Sequence, residues 1–240
     1  MESKLLKKYG LENYITGSQY TIRTKLIGSK VKDEIKDIIS KMNIKPDEIY
    51  SCAQVHGNEI KYCSGYTGKE YIYGRIFPET DGLITDKKNI ALLIKFADCT
   101  PIILYDPIKK VQAALHSGWR GTVLRIGEKA IEKMEKDFSS NRKDILAYLG
   151  PSIDMENYEV GAEVYNAFRD FKNRDNFFKE HGDKYLLSMI DANLDLLLQN
   201  GINKDNIEVS RESTYINLDL NSARREPEVY KLNSIITIMK

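Results

Sequence analysis

Apolar positions along this chain recur with two periods, and the stretches that carry them alternate. Val31, Ile35, Ile38, Ile39 and Met42 fall at helical spacing with Pro46 just beyond, which predicts an amphipathic helix. Residues 49–55 read as a strand, and residues 59–63 continue in extended form. Gly65, Gly68, Gly74 and Pro78 then set a long turn or hairpin before Asp81-Gly82-Leu83-Ile84-Thr85. Short apolar runs at 90–96, 102–105 and 111–115 predict three more strands. Val123, Ile126, Ala130, Ile131 and Met134 define a long helix, and 145–149 returns as a strand. Helical stripes follow at 160–171 and 186–197, the second ending at Asn200-Gly201, and 207–211 and 235–239 are strands with a loop at 222–226 between them. Residues 1–17 show no period and read as an irregular or short-helix start, whereas 20–27 alternates enough to be a strand. Strands interspersed with helices, without repeat or linker, predict one α/β domain over residues 1–240 with mixed sheets.

Composition narrows the partners. Lys+Arg number 36 against 35 Asp+Glu, so no global field draws the chain to nucleic acid or an acidic membrane, and a small ligand is the default. No apolar run is long enough to span a bilayer, and the start of the chain does not lead into a signal-peptide core. The three cysteines, Cys52, Cys63 and Cys99, form neither an even set nor a Cys-x-x-Cys pair, which fits a reducing, cytoplasmic setting.

Chemistry concentrates at strand ends. His56 precedes Gly57, Cys99 precedes Thr100-Pro101, and His116 precedes Ser117-Gly118. Two imidazoles and a thiolate can hold three positions of a zinc ion and leave the fourth open, provided the fold brings them together. The same residues also permit a metal-free reading, with Cys99 as nucleophile, His116 or His56 as its base and Asp98 or Asn58 as orienting group. The readings differ in that a metal engages both histidines and a Cys–His pair leaves one idle. The turn Gly118-Trp119-Arg120-Gly121 opens a helix and suits an anion, with Arg224 and Arg225 as a second clamp. Asp81 and Asp98 are candidates for orienting an imidazole or are ordinary turn residues, and the one tryptophan, Trp119, either stacks on a base or packs.

Five ordered motifs carry a resemblance: Gln54-Val55-His56-Gly57, Asp81-Gly82-Leu83-Ile84-Thr85, Ala97-Asp98-Cys99-Thr100-Pro101-Ile102, His116-Ser117-Gly118-Trp119-Arg120-Gly121-Thr122 and Gly150-Pro151-Ser152-Ile153. Together with Tyr158-Glu159-Val160-Gly161, Ala192-Asn193 and Ser222-Ala223-Arg224-Arg225, they resemble the laccase-domain family, once called multicopper polyphenol oxidases and now regarded as zinc-dependent purine nucleoside phosphorylases. The resemblance implies a single-domain α-β-β-α sandwich with His56, Cys99 and His116 as zinc ligands. It also implies phosphorolysis of adenosine, inosine, guanosine and S-methyl-5'-thioadenosine, with adenosine deamination beside it. Asp98 is then expected as a catalytic or orienting partner. Arg120, Gly118, Gly121, Arg224 and Arg225 would take substrate or phosphate, and Arg23 is the candidate of the N-terminal segment. Copper acting on phenols, a cysteine hydrolase or amidase, and a purine-binding scaffold are the rivals. With three histidines in the chain, a multicopper cluster has too few imidazoles.

Overall fold

A computed structural model describes residues 1–240. Two six-stranded mixed sheets lie face to face. In spatial order the first holds Leu11–Ile15, Asn233–Met239, Ile90–Phe96, Glu48–Cys52, Gly74–Phe77 and Lys69–Tyr71. The second holds Ile207–Val209, Leu146–Leu149, Thr100–Asp106, Val111–Ser117, Gly82–Thr85 and Ile60–Tyr62. A three-stranded sheet of Glu159–Val160, Lys184–Leu187 and Phe178–His181 stands apart from both.

The central strands are buried on both faces, which is why they read as continuous apolar runs rather than alternating ones. Alternation survives as a division between layers. Along Val111–Ser117, Ala114 enters the core between the sheets, while Val111, Ala113 and Leu115 enter the core under the helices Ile126–Phe138 and Met189–Gln199. On the opposite side, Ala91 and Leu93 meet Val31, Ile35 and Ile38 of the helix Val31–Lys41. The layering is therefore α-β-β-α. No helix is long and apolar enough to cross a membrane.

Four expectations need correction. The N-terminal strand is Leu11–Ile15, antiparallel to Asn233–Met239, and 20–27 is not a strand; its end forms the short helix Thr24–Ile27. The long helix after residue 118 is two helices, Trp119–Val123 and Ile126–Phe138, separated at Arg125, whose φ of 59° lies in the left-handed region. The stripe at 160–171 is helical only over Ala162–Ala167, because Val160 pairs with Tyr185 in the small sheet and Phe168 and Phe171 close an aromatic cluster with Phe177 and Phe178. The stripe at 186–197 begins as the strand Lys184–Leu187 and turns helical only at Met189, where the Ser188 hydroxyl caps the Asp191 amide.

Candidate metal centre

The chain crosses repeatedly between the two large sheets in this region, and two of the crossings from the first sheet to the second each carry a candidate ligand. His56 lies between Glu48–Cys52 of the first sheet and Ile60–Tyr62 of the second, and Cys99 between Ile90–Phe96 and Thr100–Asp106. His116 ends Val111–Ser117, on the same face of that strand as Ala114. One ligand atom from each of the three lies within 4.8 Å of the others, so the cluster can hold a metal ion. The imidazoles of His56 and His116 meet edge to face at 4.9 Å between centroids.

Asp81 organises both histidines. Its carboxylate, wholly buried, accepts from His116 Nδ1 at 2.8 Å, which turns the other ring nitrogen toward the cluster. The same two oxygens accept the backbone N–H groups of Val55, His56 and Gly57 at 3.1, 3.0 and 2.8 Å. Those bonds hold the His56 loop, in which His56 itself adopts φ 62°, a left-handed conformation uncommon for a residue with a side chain. The N–H bonds and the His116 contact outweigh burial and hold the Asp81 carboxyl below its usual value.

Cys99 and His116 form a matched pair. Burial pushes the Cys99 thiol up, but the charge of His116 and hydrogen bonds from His116 and His56 pull it down to about 6. Burial pushes His116 down, and Cys99 together with Asp81 raises it to about 9. A thiolate is the state in which sulfur ligates a metal. Gly118 completes the cradle: a Cβ there would stand 2.9 Å from both Cys99 Sγ and His56 Cδ2. The donor set, its protonation and this close approach all fit a small cation.

The remaining sequence candidates fall into three groups. Asp98 accepts from Thr214 Oγ1 and the Arg224 backbone N–H, each at 2.7 Å, and acts with Cys99 on the Tyr158 hydroxyl. It stitches the Cys99 turn to the C-terminal loop, with its own φ at 87°. Arg225 has a structural task as well, donating to the carbonyls of Thr214, Tyr215 and Leu220. Gly121 is buried inside a helix of five residues, where a Cβ would meet the Gly57 carbonyl at 3.0 Å, so it lets that helix pack on the His56 loop. Arg120 and Arg224 remain exposed. Arg120 lies 4.3 Å over the Trp119 ring and Arg224 5.4 Å over the Tyr158 ring, and both act on the Tyr158 hydroxyl, which also feels Cys99. Trp119 packs against the aromatic cluster around Phe168. Asn58, offered as an orienting group, donates instead to the Leu124 carbonyl at 2.6 Å.

A buried polar knot supports the cluster from behind. Ser117 Oγ lies 2.9 Å from Thr122 Oγ1 and donates to Asn193 Oδ1 at 2.8 Å, and Asn193 donates to the Met189 carbonyl. The strand end carrying His116 is thereby fixed to two helices.

The three candidate ligands open into a cavity of about 380 Å³, whose walls include Ile22, Arg23, Tyr71, Lys95, Phe96 and Tyr230. Arg23 lies 3.9 Å over the Tyr230 ring and donates to its carbonyl. Of these walls, Arg23 was a candidate from the sequence, whereas Lys95 was passed over; its one available signal was a charged residue inside the apolar run 90–96.

Comparison with known proteins agrees with this geometry. The model of the multi-copper polyphenol oxidoreductase laccase family matches residues 27–238. The chain is similar to a purine nucleoside phosphorylase of Bacteroides thetaiotaomicron, with 40% identity over 151 residues covering 60% of this chain and 55% of the relative. To the purine nucleoside phosphorylase YlmD of Bacillus subtilis it is 34% identical over 140 residues, 58% of this chain and 50% of that one. Against these two, the chain spans about half the length of the curated relatives it matches. A purine nucleoside phosphorylase of Rickettsia conorii is 33% identical over 168 residues, 68% of each chain. Among solved structures, the hypothetical protein YfiH of Bacillus licheniformis superposes with a TM-score of 0.80 at 26% identity, covering 88% of this chain and 81% of that one. YlmD of Geobacillus stearothermophilus, at 24% identity over 88% of this chain and 80% of that one, shares the fold with a TM-score of 0.81. The chain belongs to the multi-copper polyphenol oxidoreductase laccase family.

Proposed function

We propose that residues 1–240 form one domain acting as a zinc-dependent purine nucleoside phosphorylase in the cytoplasm, as a monomer or small homo-oligomer. Adenosine, inosine, guanosine and S-methyl-5'-thioadenosine are its substrates, and adenosine deamination is a side reaction. The observation that carries the reading is the convergence of His56, Cys99 and His116 on the wall of a cavity large enough for a nucleoside. The names of the relatives support the phosphorylase activity. Three nitrogen and sulfur donors with an open fourth position suit zinc, and three histidines are too few for a multicopper cluster.

In phosphorolysis a phosphate oxygen attacks the ribose C1′, the C1′–N9 bond breaks, and its electron pair leaves with the purine, which then takes a proton. Zinc, when bound, supplies positive charge for developing anions and lowers the pKa of a water to about 7 for the deaminase reaction. The chain's own residues place the reactants. Asp81 fixes His116, the cavity walls hold the nucleoside away from water, and Arg120 and Arg224 beside Tyr158 attract the phosphate toward Cys99. Gly118 lets the ligands approach closely.

A specific observation favours a second reading, a metal-free cysteine hydrolase. Cys99, His116 and Asp81 stand in the nucleophile, base and orienter relation, with Asp81 in the place expected of Asp98 or Asn58. Against it, His56 is not idle but also bonds the thiolate. A strong chelator separates the two. Phosphate-dependent release of adenine from adenosine should vanish on chelation and return with zinc, whereas activity that survives chelation would establish the hydrolase.

A further inference from the structure

Lys95 is the one charged residue on the strand Ile90–Phe96, otherwise wholly buried. Strand alternation places it on the face of Ala91 and Leu93, toward the helix Val31–Lys41, and it lines the cavity just where that cover stops. Its backbone is clamped from both sides: Gln54 Nε2 donates to the Lys95 carbonyl at 2.7 Å, and the Lys95 N–H donates to Gln54 Oε1 at 3.0 Å. The Gln54 amide thus continues the ladder between Glu48–Cys52 and Ile90–Phe96 after the first of these has turned away toward His56.

The ammonium has no partner to explain its position. No Asp or Glu lines the cavity, Arg23 and Lys25 on its walls carry the same charge, and burial pushes the pKa of Lys95 down. A desolvated ammonium without a counter-ion is destabilising, and its three donors want acceptors from a ligand. Several of the cavity's polar groups are engaged with one another. Both atoms of the Gln54 amide are in the clamp, and the hydroxyls of Thr24 and Tyr71 bond each other at 2.8 Å. The walls around Lys95 are apolar and aromatic, with Tyr71, Phe96, Ile76 and Leu232 among them, which suits a flat ring.

We propose that Lys95 reads the base of the nucleoside, donating to O6 and N7 of a 6-oxopurine, so that the cavity prefers inosine and guanosine to adenosine. At that edge a 6-oxopurine offers two acceptors, and adenine offers one acceptor and one amino donor, which an ammonium cannot accept from. The proposal rests on the phosphorylase reading and adds to it a substrate class.

The test compares inosine with adenosine at saturating phosphate in the zinc-loaded protein. Lys95→Met should lower kcat/KM for inosine by about tenfold or more and that for adenosine by a clearly smaller factor, because adenine loses one contact there and a 6-oxopurine two. Lys95→Gln, whose amide can both donate and accept, should move the ratio further toward adenosine. An equal fall for both nucleosides, or a raised KM for phosphate with the ratio unchanged, would overturn the assignment and leave the phosphorylase reading intact. If the wild-type protein performs no phosphorolysis, that reading fails first. Calorimetric binding of free hypoxanthine and adenine then decides on Lys95: a preference for hypoxanthine abolished by Lys95→Met supports it, and equal affinities in the wild type overturn it.

Discussion

The two histidines of the cluster are held in opposite ways. His116 ends a strand buried on both faces, is 3% exposed, and leans on a polar knot that reaches two helices. His56 is exposed, sits on a loop in a left-handed conformation, and owes its place to three backbone bonds that end on Asp81. One half of the site is made by the fold, and the other half is pinned to it. Asp81 is the pin, since it serves the ring of one histidine and the backbone of the other. A ligand on such a loop is free of the core's packing demands, and its conformational cost is borne by one buried carboxylate.

The largest effect should come from breaking the pin. Asp81→Ala removes the shared acceptor of three backbone N–H groups and a buried imidazole, and should destabilise the protein by about 3–5 kcal/mol while abolishing metal binding. Denaturant unfolding followed beside metal analysis checks both. Next comes a pair of substitutions that should differ in sign. His116→Ala opens a buried hole beside Asp81 and should cost about 2–4 kcal/mol of metal-free stability. His56→Gly relieves the positive φ and should leave the metal-free protein unchanged or about 0.5–1 kcal/mol more stable, although it too loses the metal. Equal losses from the two would show that the loop is no less integral than the strand.

A smaller effect should appear with pH in the metal-free protein. The Cys99 thiol is lowered to about 6, so the stability that its thiolate brings is complete above the ordinary thiol range and lost as pH falls through 6. His116 is raised to about 9, so its contribution is complete below the ordinary imidazole range and lost as pH rises through 9. The paired state therefore belongs to the window between, and alkylation of Cys99 by iodoacetamide should titrate near 6. A midpoint in the ordinary thiol range would show that the two side chains do not pair.

The same contrast explains what was legible in the sequence. The doubly buried strands announced themselves as apolar runs, and Cys99 and His116 stood beside such runs, so the His116 half could be read directly, whereas the strand expected over 49–55 stops at Cys52 and leaves His56 on a loop. Pairings across long separations could not. Leu11–Ile15 is a strand because Asn233–Met239 lies beside it, and nothing within the first seventeen residues carries that information. Asp81 and Asp98 looked alike as turn carboxylates. Only the fold shows that the first faces His116 and the second faces Thr214 and Arg224. Arg225 resembled an anion clamp until its guanidinium met three backbone carbonyls. Lys95 was hidden because one charge does not disturb an apolar run, although a half-buried ammonium facing a cavity without a carboxylate is among the most informative residues in the molecule.

The most direct test of the central claim is metal content and phosphate-dependent nucleoside cleavage measured on the same preparation, with Cys99→Ala beside the wild type. The account predicts one zinc per chain and release of free purine with ribose 1-phosphate only when phosphate is present, with both lost in Cys99→Ala. Zinc-loaded protein that leaves purine nucleosides intact at every phosphate concentration would contradict it.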